Sequence, residues 1–213
     1  MKIGAVLLCG GHSQRMGYPK ALLPFGAETL LQRVLRRLEP ISGPRVVVAS
    51  ADQKLPSLPQ DVLVTRDQRQ GHGPIEGIRA GLQALVHRAD AAYVCGCDAP
   101  FLKIALVRQL IRRLTGVQIV VPVDGPHFHP LSAVYRLSVL PYLEDLIAEG
   151  CRRPALLFDR VPTCRLPVAE LRCVDAELAS LVNVNHPEDY VSALGRAGLG
   201  IPADFFLPEN VSE

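Results

Sequence analysis

Apolar runs rich in β-branched residues recur along the chain at Ile3–Cys9, Arg45–Ser50, Val62–Thr65, Ala91–Cys97 and Gln118–Val123. Each is short and nearly continuous, the pattern of a strand covered on both faces. Between them, Glu28–Leu38, Ile75–His87 and Leu102–Leu114 carry apolar residues at helical spacing. Strands alternating with amphipathic helices predict βαβ units and a parallel sheet, hence an α/β fold. The second half is less regular. It predicts a strand at Pro130–Tyr135, a helix at Ser138–Ala148 and a short helix at Ala155–Asp159. A further strand is expected at Leu171–Asp175 and a last helix at Glu188–Leu194, opened by Pro187. With no repeat and no linker, residues 1–197 read as one domain and 198–213 as a C-terminal tail, packed loosely or ordered by a neighbour.

Of 213 residues 48% are hydrophobic, enough apolar surface to offset chain entropy, which excludes disorder as the main state. The 23 basic and 21 acidic residues balance to +2, so there is no case for nucleic acid or a membrane surface as partner. No apolar run approaches the roughly 18 residues of a spanning helix. The N-terminal apolar stretch meets Gly10-Gly11 and charge without a small-residue cleavage site, so it reads as a first strand and the protein as cytoplasmic. The six cysteines form no CxxC pair and read as free thiols in a reducing compartment.

Leu7-Leu8-Cys9-Gly10-Gly11-His12-Ser13-Gln14-Arg15-Met16-Gly17-Tyr18-Pro19-Lys20 is the most informative stretch. It follows a predicted strand at the carboxyl end, where open α/β sheets bind ligands. Gly10 and Gly11 let the backbone turn and offer N–H groups to an anion, while Arg15 and Lys20 supply fixed positive charge. Phosphate binding follows as the expectation. Walker A is excluded because Gly17 is followed by Tyr18, and no G-x-G-x-x-G occurs, which disfavours a hydride-transfer dehydrogenase.

These residues, Leu8-Cys9-Gly10-Gly11-x-Ser13-x-Arg15-Met16-Gly17-x-x-Lys20, resemble the signature loop of the nucleotidyltransferases that include molybdenum cofactor guanylyltransferase. The resemblance extends through about residue 191. It implies a three-layer, Rossmann-like nucleotidyltransferase fold, with Leu8, Cys9, Gly10 and Gly11 against the nucleotide and Lys20 as the phosphate-binding lysine. The loop alone does not choose among cytidylyl-, guanylyl- and sugar nucleotidyltransferases.

Asp98, at the end of the predicted strand Ala91–Cys97 and before Pro100, puts a hard oxygen ligand at the mouth. Mg²⁺ takes one or two protein carboxylates and completes its shell with phosphate and water; the other reading of Asp98 is a helix N-cap. Cys97-Asp98-Ala99-Pro100-Phe101 is similar to the family's Cys-Asp-x-Pro-Phe, which implies that Asp98 binds Mg²⁺ and nucleotide and leans toward guanylyl transfer. Thr65–Gly77 resembles the second nucleotide loop, making Asp67 a contact; guanine's N–H donors require acceptors such as Asp67 or the Leu8 carbonyl. Glu76, where the family has a small residue, is expected to add a charge near the anion. Pro130–Arg136 resembles the strand near the pterin, and Asn183-Val184-Asn185-His186-Pro187-Glu188-Asp189 the segment whose Asn residues lie at the active site. Asn183 and Asn185 are thus candidate acceptor contacts. Arg152 and Arg153 read as anion contacts or a solvated turn, and His127-x-His129 as loop.

The expectation is an Mg²⁺-dependent enzyme, with Asp98, Lys20 and Arg15 as catalytic residues, that moves GMP from GTP to the terminal phosphate of Mo-molybdopterin. The alternatives are cytidylyl transfer to the same pterin, nucleotidyl transfer to a sugar phosphate, or a non-catalytic GTP-binding regulator. The resemblance also suggests other molybdenum cofactor assembly proteins as partners.

Overall fold

The computed structural model describes residues 1–10, 16–67, 73–203 and 205, with Asp67 by its backbone alone. In chain order the strands are β1 (Ile3–Leu8), β2 (Pro24–Phe25), β3 (Glu28–Thr29), β4 (Arg45–Ser50), β5 (Val62–Asp67), β6 (Ala91–Gly96), β7 (Ile119–Asp124), β8 (His127–Phe128), β9 (Ser132–Arg136) and β10 (Thr163–Pro167). The helices are α1 (Leu30–Arg37), α2 (Pro74–Gln83), α3 (Ile104–Arg112), α4 (Leu140–Ala148) and α5 (Pro187–Arg196).

One sheet runs β10-β7-β9-β6-β1-β4-β5, with β8 paired to β7 off this path, and β2-β3 form a separate hairpin. β1 lies parallel to both β4 and β6, β5 parallel to β4, and β10 parallel to β7; β9 runs antiparallel between β6 and β7. The two inner strands are covered on both sides, so every residue of β1 and β6 is buried. Leu31, Val34 and Leu35 of α1 and Leu106, Val107 and Leu110 of α3 form one core with Ala5, Leu7 and Tyr93. Ile75 and Ile78 of α2 and Leu143 and Leu146 of α4 pack the opposite face against Val6, Val94 and Ala133. α2 approaches β1 closely enough that a Cβ on Gly81 would overlap the Val6 side chain. This is the expected α/β architecture with helices on both faces.

The element boundaries correct the sequence reading in places. Glu28 and Thr29 belong to β3, and Thr29 caps α1 by accepting from the Gln32 N–H while Gln32 returns a bond to the Thr29 N–H. The strand expected at Leu171–Asp175 is instead a turn following a 3-10 helix at Val168–Leu171, and the strand there is β10. β10 is an edge strand, where Pro167 and exposed Arg165 are tolerated because one side of the ladder is unpaired.

Asp175 does structural work in that turn. Fully buried, it ion-pairs with Lys103 Nζ at 2.9 Å and accepts the Ser180 N–H at 2.8 Å, while Ser180 Oγ accepts the Lys103 N–H at the start of α3. Burial pushes its carboxyl upward, but the Lys103 ammonium and the donors of Ser180 and Ala179 outweigh it and hold it below the usual carboxylate range. A carboxylate depressed in the folded state contributes stability above its unfolded pKa of about 3.9, lost as pH falls through the folded value. Asp175→Ala is expected to cost about 2–3 kcal/mol, because it leaves buried donors unmatched, and to lower Tm by roughly 5–10 °C at neutral pH. Thermal melts at pH 7 and below pH 3 check this: the gap between wild type and variant must shrink in acid.

Candidate active site

β1, β4, β5 and β6 all end at the same edge, and the order of connection reverses between β1 and β6, the position at which open α/β sheets form a crevice. Gly10 follows β1 and Asp98 follows β6, so the two sequence-predicted segments flank that crevice. Lys20 opens a short 3-10 helix, Lys20–Leu22, after Pro19.

Three predicted residues meet there. Lys20 Nζ donates to Asp98 Oδ2 at 3.0 Å and to Asn185 Oδ1 at 2.8 Å, partners 78 and 165 positions away. The Lys20 and Asp98 side chains are 17% and 19% exposed, open enough for a ligand yet shielded enough that charge is felt strongly. Asn185 is brought in by its neighbour: the Val184 N–H donates to the Asp98 carbonyl at 2.8 Å, tying the two segments backbone to backbone. Asp189 then accepts the N–H groups of Asn185 and His186 at the start of α5, fixing the approach; His186 therefore belongs to the helix start. Asn183 lies exposed on the same segment.

Further residues hold the acid in place that sequence reasoning passed over. A Cβ on Gly96 would overlap the Asp98 carboxylate, so glycine at the end of β6 leaves the space into which the acid folds back. A glycine inside a buried strand, two residues before an acid, was the available signal. Arg33 of α1 donates to the Pro100 carbonyl at 3.2 Å and Arg196 stacks over the Phe101 ring at 4.8 Å, pinning the turn after Asp98. Gly96→Ala is expected to keep the wild-type Tm within a few degrees, since its backbone is not left-handed, while displacing the carboxylate lowers kcat/KM about 10- to 100-fold. Steady-state kinetics beside a thermal melt separates the two effects.

The remaining candidates fall as follows. The Leu8 carbonyl already accepts the Cys97 N–H at 3.1 Å, leaving one lone pair for a base. Cys9 has a buried side chain; its N–H donates to Val48 and its carbonyl accepts from Gln53 Nε2 at 2.9 Å. The hydrogen bond with Cys97, and then burial, push the Cys9 thiol well up, so it is not a thiolate nucleophile. Gly10 is exposed, and a Cβ there would press on Ser50 Oγ at 3.2 Å. Asp67 ends β5 opposite Ser50, and its side chain lies outside the described residues, as do Gly11, Arg15 and the rest of 11–15 and 68–72. The charge that Glu76 is expected to add near the anion is buried and met by Arg79, which grips both of its oxygens at 2.7 and 3.0 Å. The Arg152 carbonyl borders Gly73, at the start of α2. Among the described residues no group of three or more His, Cys, Asp or Glu is placed to hold a metal ion, His127 and His129 included. All six cysteines are free. No helix among these residues is long and apolar enough to cross a membrane.

A sheet-edge crevice bearing a lysine, an acid and an asparagine is suited to holding a polyphosphate and a cation together. The family model of the MobA-like NTP transferase domain matches residues 5–161. The chain belongs to this family. It is a nucleotidyltransferase. Curated relatives of this MobA-like chain include "Probable molybdenum cofactor guanylyltransferase" of Mycobacterium tuberculosis, 36% identical over 188 residues that cover 86% of this chain and 89% of the relative. The protein of the same name from Mycobacterium ulcerans is 35% identical, covering 89% and 92%. Among solved structures, molybdopterin-guanine dinucleotide biosynthesis protein A from Archaeoglobus fulgidus superposes with a TM-score of 0.76 at 26% identity, covering 92% of this chain and 98% of that one. The 2-C-methyl-D-erythritol 4-phosphate cytidylyltransferase of Thermus thermophilus shares the fold, with a TM-score of 0.68 at 16% identity over 92% and 98%.

Proposed function

We propose that this chain transfers GMP from GTP to the terminal phosphate of Mo-molybdopterin, forming the molybdopterin guanine dinucleotide and pyrophosphate. The names of its curated relatives and of the Archaeoglobus protein support the choice of substrates. The chemistry rests on one contact, Lys20 Nζ between the Asp98 carboxylate and the Asn185 amide oxygen.

The acceptor is a phosphomonoester with a second pKa of about 6, so at neutral pH its oxygen is already a charged nucleophile and no strong base is needed. What opposes reaction is repulsion between two polyanions and the alignment of attack on the α-phosphorus opposite the leaving pyrophosphate. The donor set fits Mg²⁺: one partly exposed carboxylate and a neutral amide oxygen leave most positions to phosphate and water. Asp98 would hold the ion, with Asn185 beside it, and when bound it supplies neutralisation of phosphate charge. Lys20 exchanges its contact with Asp98 for the triphosphate and holds the departing pyrophosphate. In this reading Arg15 and the backbone amides of Gly10 and Gly11 serve the phosphates, Leu8, Cys9 and Asp67 the nucleoside, and Asn183 and Asn185 the acceptor.

Incubation with the molybdopterin acceptor, Mg²⁺ and each nucleoside triphosphate in turn tests the reading. Pyrophosphate is expected with GTP and not without Mg²⁺. Release with CTP in preference to GTP would reassign the nucleotide, and release with no acceptor tested would remove the transferase reaction as written.

A further inference from the structure

Lys20, Asp98 and Asn185 come from three distant segments, and a third apolar cluster joins those segments. It includes Leu23, Val184, Tyr190 and Phe205, with Tyr18 and Phe101 packed against it. Each of the three polar residues has a member of this cluster within three positions: Tyr18 and Leu23 about Lys20, Phe101 after Asp98, Val184 before Asn185. The cluster is therefore the base on which the polar trio stands.

Its last member arrives from the C-terminal tail. Gly198, at φ 69°, turns the chain out of α5, and the Leu199 N–H closes that turn on the Leu194 carbonyl at 2.9 Å. Leu199 comes down on the turn of the β2–β3 hairpin beside Gly26. A second turn, with the Phe205 N–H on the Pro202 carbonyl at 3.0 Å, delivers Phe205 to its seat. There Phe205 is 8% exposed, its ring 4.6 Å from that of Tyr190 at 65° and 5.0 Å from that of Tyr18 at 36°. Tyr190 is in turn fixed by a hydrogen bond to the Pro24 carbonyl. Rather than packing loosely, the tail as far as Phe205 spans the hairpin, α5 and the exit of the glycine loop. It lies well beyond residue 161, where the family profile ends.

We propose that Phe205 is a positioning residue: it clamps Tyr18 against Tyr190 and so sets where Lys20 stands relative to Asp98 and Asn185, and with that the grip on the triphosphate. The proposal builds on the nucleotidyl-transfer reading above and adds the device that assembles its site. An aromatic clamp of this kind acts through Tyr18 without touching the reacting atoms, so its loss must weaken the triphosphate cradle while the central sheet stays intact.

Hydrogen exchange on the full chain tests this without ligand. Phe205→Ala is expected to raise exchange between Met16 and Leu23 and between Val184 and His186, while β4 and β6 keep wild-type protection. Calorimetry with GTP and Mg²⁺ is expected to show about tenfold weaker binding in the variant. Phe205→Leu, which retains a buried side chain, supplies the comparison if the alanine variant does not fold. Phe205→Trp should restore both readouts, and because the chain has no other Trp, its emission must change when GTP is added. Unchanged exchange at the two segments, or protection lost evenly along the chain, overturns the proposal. So does wild-type GTP affinity in Phe205→Ala. Failure of the wild type to bind any nucleoside triphosphate would instead count against the functional reading, and the exchange comparison would still decide the role of Phe205.

Discussion

Asp98→Asn is expected to lower kcat for nucleotidyl transfer about 100- to 1000-fold, with the fold intact. The substitution keeps the shape that fits the space above Gly96 but removes the charge that would recruit the cation, and loss of one preorganised charge partner at a reacting phosphate costs on the order of 3–4 kcal/mol. Stability should change little. The Lys20–Asp98 pair is partly exposed, and such pairs contribute about 1 kcal/mol or less, or roughly 2–4 °C in a chain of this size. Binding gives a sharper signature. In the absence of ligand the carboxylate occupies Lys20, so neutralising it frees the ammonium and removes a negative charge facing the triphosphate. GTP binding measured without Mg²⁺ should then be as tight as wild type or tighter, while the gain in affinity that Mg²⁺ brings to the wild type disappears. Calorimetry with and without Mg²⁺, beside kinetics, reads both. An Asp98→Asn enzyme with a normal Mg²⁺-dependent gain would place the cation elsewhere.

The parts of this site that were legible in the sequence are those whose chemistry is local. Gly10, Lys20 and Asp98 each sit just beyond a strand or at a turn recognisable from residue type alone, and the parallel sheet followed from short apolar runs that need two covering layers. The resemblance implies that Lys20, Asp98 and Asn185 share a site, but not the contacts that bring them together. That Lys20 reaches Asn185 depends on the Val184–Asp98 backbone bond and on the third cluster, whose members Met16, Phe25, Tyr190 and Phe205 span most of the chain. Phe205 lies in a stretch with two prolines and acidic residues, a composition that reads as a tail packed loosely or ordered by a neighbour, and its packing against Tyr18 and Tyr190 makes it core. β10 does not read as a strand because an edge strand carries charge and proline that a central strand excludes. The Glu76–Arg79 pair was readable at i,i+3 spacing and corrects a reading that considered the acid alone.

Lys20→Ala should separate grip on the phosphates from recruitment of the cation. Lys20 is the described cation that touches both Asp98 and Asn185, so its loss leaves the carboxylate available to Mg²⁺ while removing positive charge from the triphosphate. GTP affinity is expected to fall about 10- to 100-fold and kcat/KM about 10²- to 10³-fold, the range for deleting one charge-assisted donor at a reacting anion. Because the missing charge acts over a partly exposed crevice, the deficit should narrow as salt is raised and the wild-type attraction is screened. Lys20→Arg is the informative companion. It keeps the charge but replaces a compact ammonium, which donates here to two oxygens converging from different segments, with a planar fork matched to two parallel acceptors. Affinity should largely return, since charge suffices to hold a polyanion, while kcat remains depressed because the fork cannot stand where the ammonium does without moving Asp98 or Asn185. Full recovery of kcat in Lys20→Arg would mean that the lysine contributes charge alone and that its place between Asp98 and Asn185 is incidental to turnover.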